Sequence, residues 1–272
     1  MNDPFIYKHW NPLRQNEGEI LKKYSKMIKW RTDGLDSVMD IGCAGGDITN
    51  DCIVPLLPEN FTRLIGVDVS ESMVQFANEN FATSKVSFDK LDIGDDISEF
   101  LNNHEPFDHL FSLLCLHLIP DQRLAVENIY KLLKPTGDCL LFIIAEQRLF
   151  DMYYDLYDKW KQYLPMVDNF ISPYYHRVNP VEMLTNLLER AGFQPNCVEM
   201  VKTTVYYKDI NCYRNATESF MPFISKIPTE LRKEFSDDMI RLALSYNSKP
   251  LPEGVIVEMP FQCLIAYACK RV

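Results

Sequence analysis

The sequence has no long apolar stretch, and its cysteines and histidines are not spaced as in metal sites or disulfide scaffolds. Its longest uninterrupted apolar runs are seven residues, Cys139–Ala145 and Cys263–Cys269, whereas a membrane-spanning helix needs roughly 20. The first ten residues lack the apolar segment of a signal peptide. The eight cysteines contain no CxxC pair, which favours reduced core thiols. We therefore expect a cytoplasmic protein with no membrane insertion and no metal.

Basic residues are scarce relative to acidic ones. Lys and Arg number 28, Asp and Glu number 38, and the formal net charge over 272 residues is −10. Nucleic acids and anionic membranes bind basic surfaces, so this balance disfavours both as partners. The apolar content of 47% is that of an ordinary globular chain. We expect a small-molecule substrate and a monomer or homodimer.

Strands and helices alternate along the first half of the chain. The predicted strands are Ser37–Ile41, Arg63–Val69, Val86–Leu91, Phe107–Leu114 and Asp138–Ala145. The predicted helices are Asp47–Leu57, Glu71–Phe81 and Asp121–Leu133, the last of which stops at the segment Lys134-Pro135-Thr136-Gly137. This alternation indicates a parallel sheet with helices on both faces.

The second half predicts two more strands surrounded by helices. The strands are Val198–Tyr207 and Val255–Lys270. A helix is predicted at Pro180–Ala191, ending at Gly192, and Lys208–Asn247 is predicted to be helical in pieces, broken at Pro222 and Pro228.

The fold class is therefore α/β. We predict a doubly wound, Rossmann-like sheet of seven strands, mostly parallel with an antiparallel last strand, and helical lid insertions over its carboxyl edge. We expect a single domain over residues 1–272. Its sheet should lie within 35–146, 193–207 and 255–270, and its helical lid within 1–30, 147–180 and 208–248.

In the segment VMDIGCAGGDIT, the first strand carries an acid at its end and is followed by a turn of small residues. Asp40 ends the strand, and Gly42, Ala44 and Gly46 let the backbone approach a ligand closely. The dinucleotide fingerprint GxGxxG would need a glycine at Thr49. That fingerprint binds a pyrophosphate at the start of the helix, and the negative charge of Asp40 would repel a pyrophosphate there. The acid suits a cationic ligand, such as the amino group of S-adenosylmethionine.

Two further acids lie at the ends of the next two strands. Asp68 lies 22 residues after Gly46, where a carboxylate can accept ribose hydroxyls, and Val69 and Met73 belong to the same predicted cofactor segment. Asp92 can accept the adenine amine, with Ile93 as an apolar neighbour of the ring. Asp68 alone also fits a nicotinamide enzyme or a surface acid, and Asp92 alone fits a turn. Acids at three successive strand ends favour an adenosyl cofactor.

The fourth strand and its following loop supply the next candidates. Ser112 lies near the end of the strand and is predicted to contact the cofactor. His117 follows in the loop, over the expected methyl donor. His117 can either face the substrate or be a core histidine, and the sequence leaves both interpretations open.

Together these segments resemble class I S-adenosylmethionine-dependent methyltransferases over residues 35–145. A narrower resemblance, to the insect juvenile hormone acid O-methyltransferases, extends from the N-terminus to residue 175 and weakly to the end. It rests on KMIKW, DIGCAGG, LDIGDD, FDHLFSLLCLHLIPDQRLA, NIYKLLKPTGDCLL and VDNFISPY. The resemblance implies conversion of juvenile hormone acid or farnesoic acid to its methyl ester, with S-adenosylhomocysteine as the second product.

Two positions depart from that family's pattern. Family members usually carry a Gln in the N-terminal segment and a Trp after the loop His, where this chain has Arg14 and Leu118. The resemblance implies that Gln15 or Arg14, together with His117, orients the substrate carboxylate. Leu118 lacks the N–H donor and the large wall of a Trp. The alternatives are a weakly active or non-catalytic paralogue that binds cofactor and hydrophobic acid, or a methyltransferase for another small-molecule acid, such as a fatty acid.

An aromatic-rich stretch after the fifth strand is the candidate wall of an isoprenoid or fatty-chain pocket. With Leu118, the predicted substrate-binding residues are Phe150, Tyr154, Trp160, Phe170 and Tyr174. At helical spacing the same aromatics also fit the core of the inserted helices, and we expect only a few of them to touch ligand.

Overall fold

Seven strands of the described residues form one sheet. The computed structural model describes residues 13–164, 166–221, 223–246, 251 and 253–271, without the side chains of 13–17, 219, 220 and 225. The strands are β1 (Ser37–Ile41), β2 (Arg63–Asp68), β3 (Val86–Lys90), β4 (Phe107–Leu113), β5 (Leu133–Gln147), β6 (Phe193–Tyr207) and β7 (Val257–Lys270). Their order across the sheet is β3-β2-β1-β4-β5-β7-β6.

The sheet is parallel from β3 to β5, and β7 is antiparallel to both β5 and β6. This is the predicted fold class, with the last strand inserted between β5 and β6. Every residue of β1 and β4 is buried, as expected for central strands with both faces covered. The strand order reverses between β1 and β4, and open α/β sheets bind ligands at that point of their carboxyl edge.

Eight α-helices flank the sheet within the described residues. They are α1 (Leu13–Tyr24), α2 (Glu71–Phe81), α3 (Ser98–Asn103), α4 (Gln122–Leu132), α5 (Arg148–Trp160), α6 (Pro180–Ala191), α7 (Ile210–Phe220) and α8 (Thr229–Ser245). Apolar residues of α1, α2, α5, α7 and α8 belong to one buried cluster. Those of α3, α4 and α6 belong to a second cluster on the opposite face.

Several predicted elements differ in detail from the structure, and β6, for example, begins at Phe193 and not at Val198. The predicted helix Asp47–Leu57 contains a π-helical turn, Thr49–Ile53, followed by a 3-10 turn, Val54–Leu56. Pro55 has no backbone N–H, so a regular α-helix cannot continue through it.

The fifth strand begins before the predicted stop segment. Phe107 pairs with Leu133 and His109 pairs with Asp138, so residues 134–137 loop out of the β4–β5 ladder. Thr136 has a φ of 68° in that loop. The segment therefore ends helix α4, as predicted, but it lies inside β5.

Two helix ends have the capping residues that their sequences favour, whereas Ser70, directly before α2, makes no side-chain capping hydrogen bond. Asp121 caps α4 by accepting the backbone N–H of Leu124 at 2.9 Å. Gly192 ends α6 with a φ of 103°, a conformation that favours glycine. Among the described residues, no helix has both the length and the apolar content to cross a membrane.

Candidate functional site

The three predicted acids are staggered along the carboxyl edge of the sheet. Asp40 lies opposite Gly66 of β2, and Asp68 lies two residues further along that strand. Asp68 in turn lies opposite Lys90, and Asp92 follows β3 two residues later. The acids thus belong to adjacent strands, each displaced outward from the one before.

Asp40 is the innermost of the three acids. It is only 2% exposed, and its Oδ2 accepts the hydroxyl of Thr49 at 2.6 Å. Burial, with the nearby charge of Asp68, raises the pKa of Asp40 to about 7. An ionised carboxylate at this depth is favoured by a positive charge. A cationic ligand group near Asp40 would supply one.

The turn after β1 brings the backbone close to neighbouring elements. Gly42 has a φ of 77° and Gly46 a φ of 79°. A Cβ at Gly42 would lie 2.3 Å from the Cβ of Cys115. The amides of Gly42 and Cys43 both donate to the carbonyl of Val67, at 2.8 and 3.0 Å. The turn is therefore fixed against β2 and against the loop after β4.

Asp68 ties that turn to the end of β2. Its Oδ2 accepts the N–H of Ala44 at 3.0 Å, and its Oδ1 accepts the N–H of Ser70 at 2.9 Å. Burial raises its pKa, although these two backbone hydrogen bonds act in the opposite direction. A carboxylate has about four acceptor positions. Asp68 therefore keeps acceptor capacity for ligand hydroxyls.

The remaining predicted cofactor residues lie around these acids. Asp92 is exposed, and its Oδ1 accepts the N–H of Gly94 at 2.8 Å. Ile93 and Met73 are buried, whereas Val69 is 59% exposed. Ser112 is fully buried and donates to the carbonyl of Ile41 at 3.1 Å, so its hydroxyl links β4 to β1.

A cavity of about 380 Å³ opens beside the loop after β4. It is lined by His117, Leu118, Pro120, Tyr154, Asp168, Asn169, Ile171, Ser172, Pro173, Tyr175 and Arg177. Three predicted site residues, His117, Leu118 and Tyr154, therefore share one cavity. They come from the loop after β4 and from α5, which are distant in sequence.

His117 is buried in the wall of this cavity. It is 7% exposed, and its Nδ1 has no hydrogen-bond partner among the described residues. Desolvation lowers the pKa of His117 to about 3, so the imidazole is neutral at physiological pH. A buried polar atom without a partner is costly, and a ligand in the cavity could supply the missing hydrogen bond.

The other predicted substrate residues have different surroundings. Phe150, Trp160 and Tyr174 are buried in the core clusters. The indole of Trp160 donates to Asp238 at 2.9 Å. Phe170 is half-buried against Phe223, with ring centroids 5.2 Å apart. These surroundings fit core aromatics, the second interpretation that the sequence allowed, and the predicted contact of these residues with substrate stays a prediction.

Arg14 and Gln15 lie on α1, but their side chains are outside the described part of the structure. Their predicted contact with a carboxylate stays a prediction. In the described part of the chain, no group of three or more His, Cys, Asp or Glu side chains is arranged to hold a metal ion.

Several site residues were not predicted from the sequence. The sequence marks Thr49, which donates a hydrogen bond to Asp40, only as the residue in place of the third glycine of the dinucleotide fingerprint. Asp168 and Asn169 lie in the VDNFISPY segment that carries the family resemblance, but neither they nor Arg177 are predicted to line a site, because their polar side chains are spaced like those of an ordinary loop. Cys115 lies in an apolar segment, which predicts only a core thiol, although its proximity to Gly42 places it beside the turn.

Comparison with known proteins defines the class. A methyltransferase-domain family matches residues 33–211. The structure is also similar to Haemonchus contortus phosphoethanolamine N-methyltransferase 2 in complex with phosphomonomethylethanolamine and S-adenosylhomocysteine. The TM-score is 0.55 at 18% identity, over 95% of this chain and 53% of that one. The chain is a class I S-adenosylmethionine-dependent methyltransferase.

Two curated relatives narrow the assignment. The juvenile hormone acid O-methyltransferase of Drosophila melanogaster is 33% identical over 281 residues, covering 99% of this chain and 93% of the relative. That of Bombyx mori is 34% identical over 279 residues, covering 99% and 98%. This chain belongs to the family of the juvenile hormone acid O-methyltransferases.

The residues at the sheet edge fit the cofactor of that class. The predicted roles are that Asp68 and Asp92 would accept hydrogen bonds from ribose and adenine, and that Asp40 would place a buried acid near a cationic amino-acid tail. Gly42 and Gly46 leave the turn without side chains at positions where a Cβ would meet a neighbour within 3 Å. Together these groups would hold the adenine, ribose and amino-acid parts of the cofactor.

Proposed function

We propose that this chain is a carboxyl O-methyltransferase that converts a hydrophobic acid, of the juvenile hormone acid or farnesoic acid type, to its methyl ester. Membership of the family supports this proposal, since both curated relatives carry the name of that activity. We also propose a cytoplasmic location.

The observation that carries the proposal is the buried, neutral His117, whose Nδ1 has no partner in the described part of the chain, in a cavity lined by the loop after β4. Cys115 of the same loop packs against Gly42 in the turn that follows Asp40. A carboxylic acid with a pKa of about 4 is already ionised at neutral pH, so its methylation needs no general base. S-adenosylmethionine supplies the methyl group when bound. His117 can donate one hydrogen bond to the acceptor carboxylate without abstracting a proton or forming an ion pair.

Such a hydrogen bond orients the acceptor, and orientation is the main demand of a methyl transfer. Holding two reactants in near-attack geometry accounts for roughly 7–11 kcal/mol of a barrier. A neutral donor leaves most of the carboxylate's nucleophilicity intact, whereas an ion pair would reduce it. Leu118 and Ile171 give the same cavity an apolar wall for the acceptor chain.

We propose that the helices after β5 and β6 form the lid of a single domain. Tyr154 of α5 lines the cavity, and its hydroxyl donates to Asp168 at 2.7 Å. The hydroxyl of Tyr175 donates to Asp151 of the same helix. These contacts connect α5 to the segment that forms the far wall.

The test is methyl transfer from labelled S-adenosylmethionine to a panel of juvenile hormone acid, farnesoic acid and medium-chain fatty acids. We expect a labelled methyl ester from at least one of the first two. Absence of ester from every acid, with cofactor binding intact, would contradict the proposal. Ester from the fatty acids alone would support the alternative substrate class.

His117→Gln tests the role of the histidine in this reaction. Loss of one hydrogen bond to a charged group costs about 1.5–3 kcal/mol, so we expect kcat/KM to fall about 10- to 150-fold. His104→Gln is the control, since His104 lies near the end of α3 and contacts Asp89 at 3.2 Å. Equal kcat/KM for the two variants would show that His117 does not contact the acceptor.

A second candidate function is a paralogue that binds both ligands but turns over poorly. It is favoured by Leu118, which lines the cavity where family members carry a Trp. Calorimetry showing tight binding of S-adenosylhomocysteine and of the acid, without ester formation, would support it. In that case Leu118→Trp combined with Arg14→Gln should restore turnover.

A further inference from the structure

The cavity beside His117 has a buried end and an exposed rim. His117, Ile171 and Ser172 are buried. Asp168, Asn169 and Arg177 are exposed, and they line the same cavity. An acceptor must therefore pass the polar rim before its carboxylate reaches the histidine.

The surroundings of the rim are acidic. Asp168 lies on it, bonded to Tyr154. Asp151 accepts the hydroxyl of the rim residue Tyr175, and Glu146 accepts the N–H of His176 at 2.7 Å. The whole chain carries a net charge of −10. A carboxylate substrate is therefore repelled unless a positive charge stands at the entrance.

Arg177 provides that charge. Its Nε donates to the carbonyl of Pro173 at 3.2 Å, which holds the guanidinium against the cavity wall. Within the described ranges, its terminal nitrogens have no carboxylate partner. The nearby His176 differs in this respect, because its ring contacts Glu146 at 3.4 Å and Asp151 at 3.9 Å. Arg177 is thus the cation of the described cavity wall that is available to an anion.

We infer that Arg177 attracts the acceptor carboxylate to the cavity and makes the enzyme selective for anionic over neutral acceptors of the same shape. The inference rests on the proposed function, because it requires a carboxylate acceptor. Arg177 acts at the rim, on capture of the acceptor, and His117 acts at the buried end, on its orientation. Loss of Arg177 should therefore raise KM and leave kcat unchanged.

The experiment compares wild type, Arg177→Gln, Arg177→Lys and Arg190→Gln with the best acid found by the ester assay. Arg190 is an exposed cation of α6, so its substitution makes the same change in net charge at another place. A unit charge pair at about 4 Å in water is worth about 1 kcal/mol, equivalent to about fivefold in KM. We expect that rise in Arg177→Gln alone, with Arg177→Lys close to wild type.

Two further measurements separate charge from packing. The ratio of kcat/KM between wild type and Arg177→Gln should approach one as salt rises from about 0.01 to 1 M, since the Debye length falls from about 30 to 3 Å. The primary amide of the acid, used as a competitive inhibitor, should bind wild type and Arg177→Gln equally.

The inference is overturned if Arg177→Gln leaves KM unchanged at low salt, or if the ratio of kcat/KM between wild type and variant does not vary with salt. It is also overturned if Arg177→Gln weakens binding of the amide as much as binding of the acid. An absence of methyl ester with wild type would instead overturn the proposed function itself. The two failures are therefore distinguishable.

Discussion

His109 is a buried imidazole held between two buried carboxylates, on the amino side of the sheet. Its Nδ1 lies 2.7 Å from Asp138 and its Nε2 lies 2.8 Å from Asp36. Ionised carboxylates only accept hydrogen bonds, so both ring nitrogens can donate only when the imidazole is protonated. Burial by itself lowers the pKa of His109, but the hydrogen bonds and charges of Asp138 and Asp36 outweigh it and raise the pKa above its usual value.

Stability should therefore depend on pH through this group. Because the folded-state pKa is raised, the stabilisation is complete below the unfolded-state value of about 6.5 and is lost as pH rises through the folded value. We expect His109→Ala to lower the free energy of unfolding by about 3–5 kcal/mol near pH 6 and by less at pH 9. Urea unfolding followed by circular dichroism measures both.

The matched control for this prediction is His104→Ala, which removes an exposed contact with Asp89. Its effect should be below about 1 kcal/mol. A difference between wild type and His109→Ala that stays constant from pH 6 to pH 9 would show that the imidazole is neutral in the folded protein.

At the scale of elements, the turn after β1 packs closely against the loop after β4 at Gly42. A Cβ at Gly42 would lie 2.3 Å from the Cβ of Cys115 and 2.4 Å from its Sγ. The same loop carries His117. The turn that would hold the cofactor and the loop that lines the cavity therefore fix each other's position.

Gly42→Ala should disturb both elements. The added methyl meets Cys115, and overpacking of this kind costs about 1–3 kcal/mol, in addition to the strain of a φ of 77°. Gly254→Ala is the control, since Gly254 has a φ of 74° but open space around its Cβ position. Thermal unfolding should show a larger loss for Gly42→Ala.

Cys115→Gly in the Gly42→Ala background should recover part of that loss, because it removes the atoms that the new methyl meets. Equal destabilisation by the two glycine substitutions, or an absence of recovery, would show that backbone strain and not the Cys115 contact determines the effect.

At the scale of the whole molecule, the adenosyl site predicts linkage between cofactor binding and stability. A ligand at 100 times its Kd stabilises the folded state by about 2.7 kcal/mol, so S-adenosylhomocysteine should raise Tm by roughly 5–10 °C. A nicotinamide cofactor should not, because Asp40 stands where its pyrophosphate would bind. Scanning calorimetry compares the two ligands.

Asp68→Ala should reduce that stabilisation by weakening the affinity for S-adenosylhomocysteine by about 1.5–3 kcal/mol. Glu127→Ala, which removes an exposed carboxylate paired with Arg123 on α4, serves as the control. Unchanged affinity in Asp68→Ala would show that Asp68 only supports the turn and does not contact the cofactor. A rise in Tm with the nicotinamide cofactor, but not with S-adenosylhomocysteine, would contradict the adenosyl site.

The sequence by itself determined the alternation of strands and helices, the acids at three successive strand ends, and the turn of small residues. Each depends on neighbours in the chain: period-2 and period-3.6 burial patterns, capping residues, and glycines with positive φ. β1 and α6 were therefore predicted with the bounds that the structure gives them.

Only the tertiary structure decided where β7 inserts, which aromatics are core, and which residues share the cavity. Burial periodicity reports that one face of an element is covered but not what covers it, so Trp160 in the core and Tyr154 on the cavity looked alike in sequence. His117, Tyr154 and Arg177 meet because sheet order and helix packing bring β4, α5 and the segment after α5 together. That meeting depends on contacts between distant residues, which no local pattern encodes.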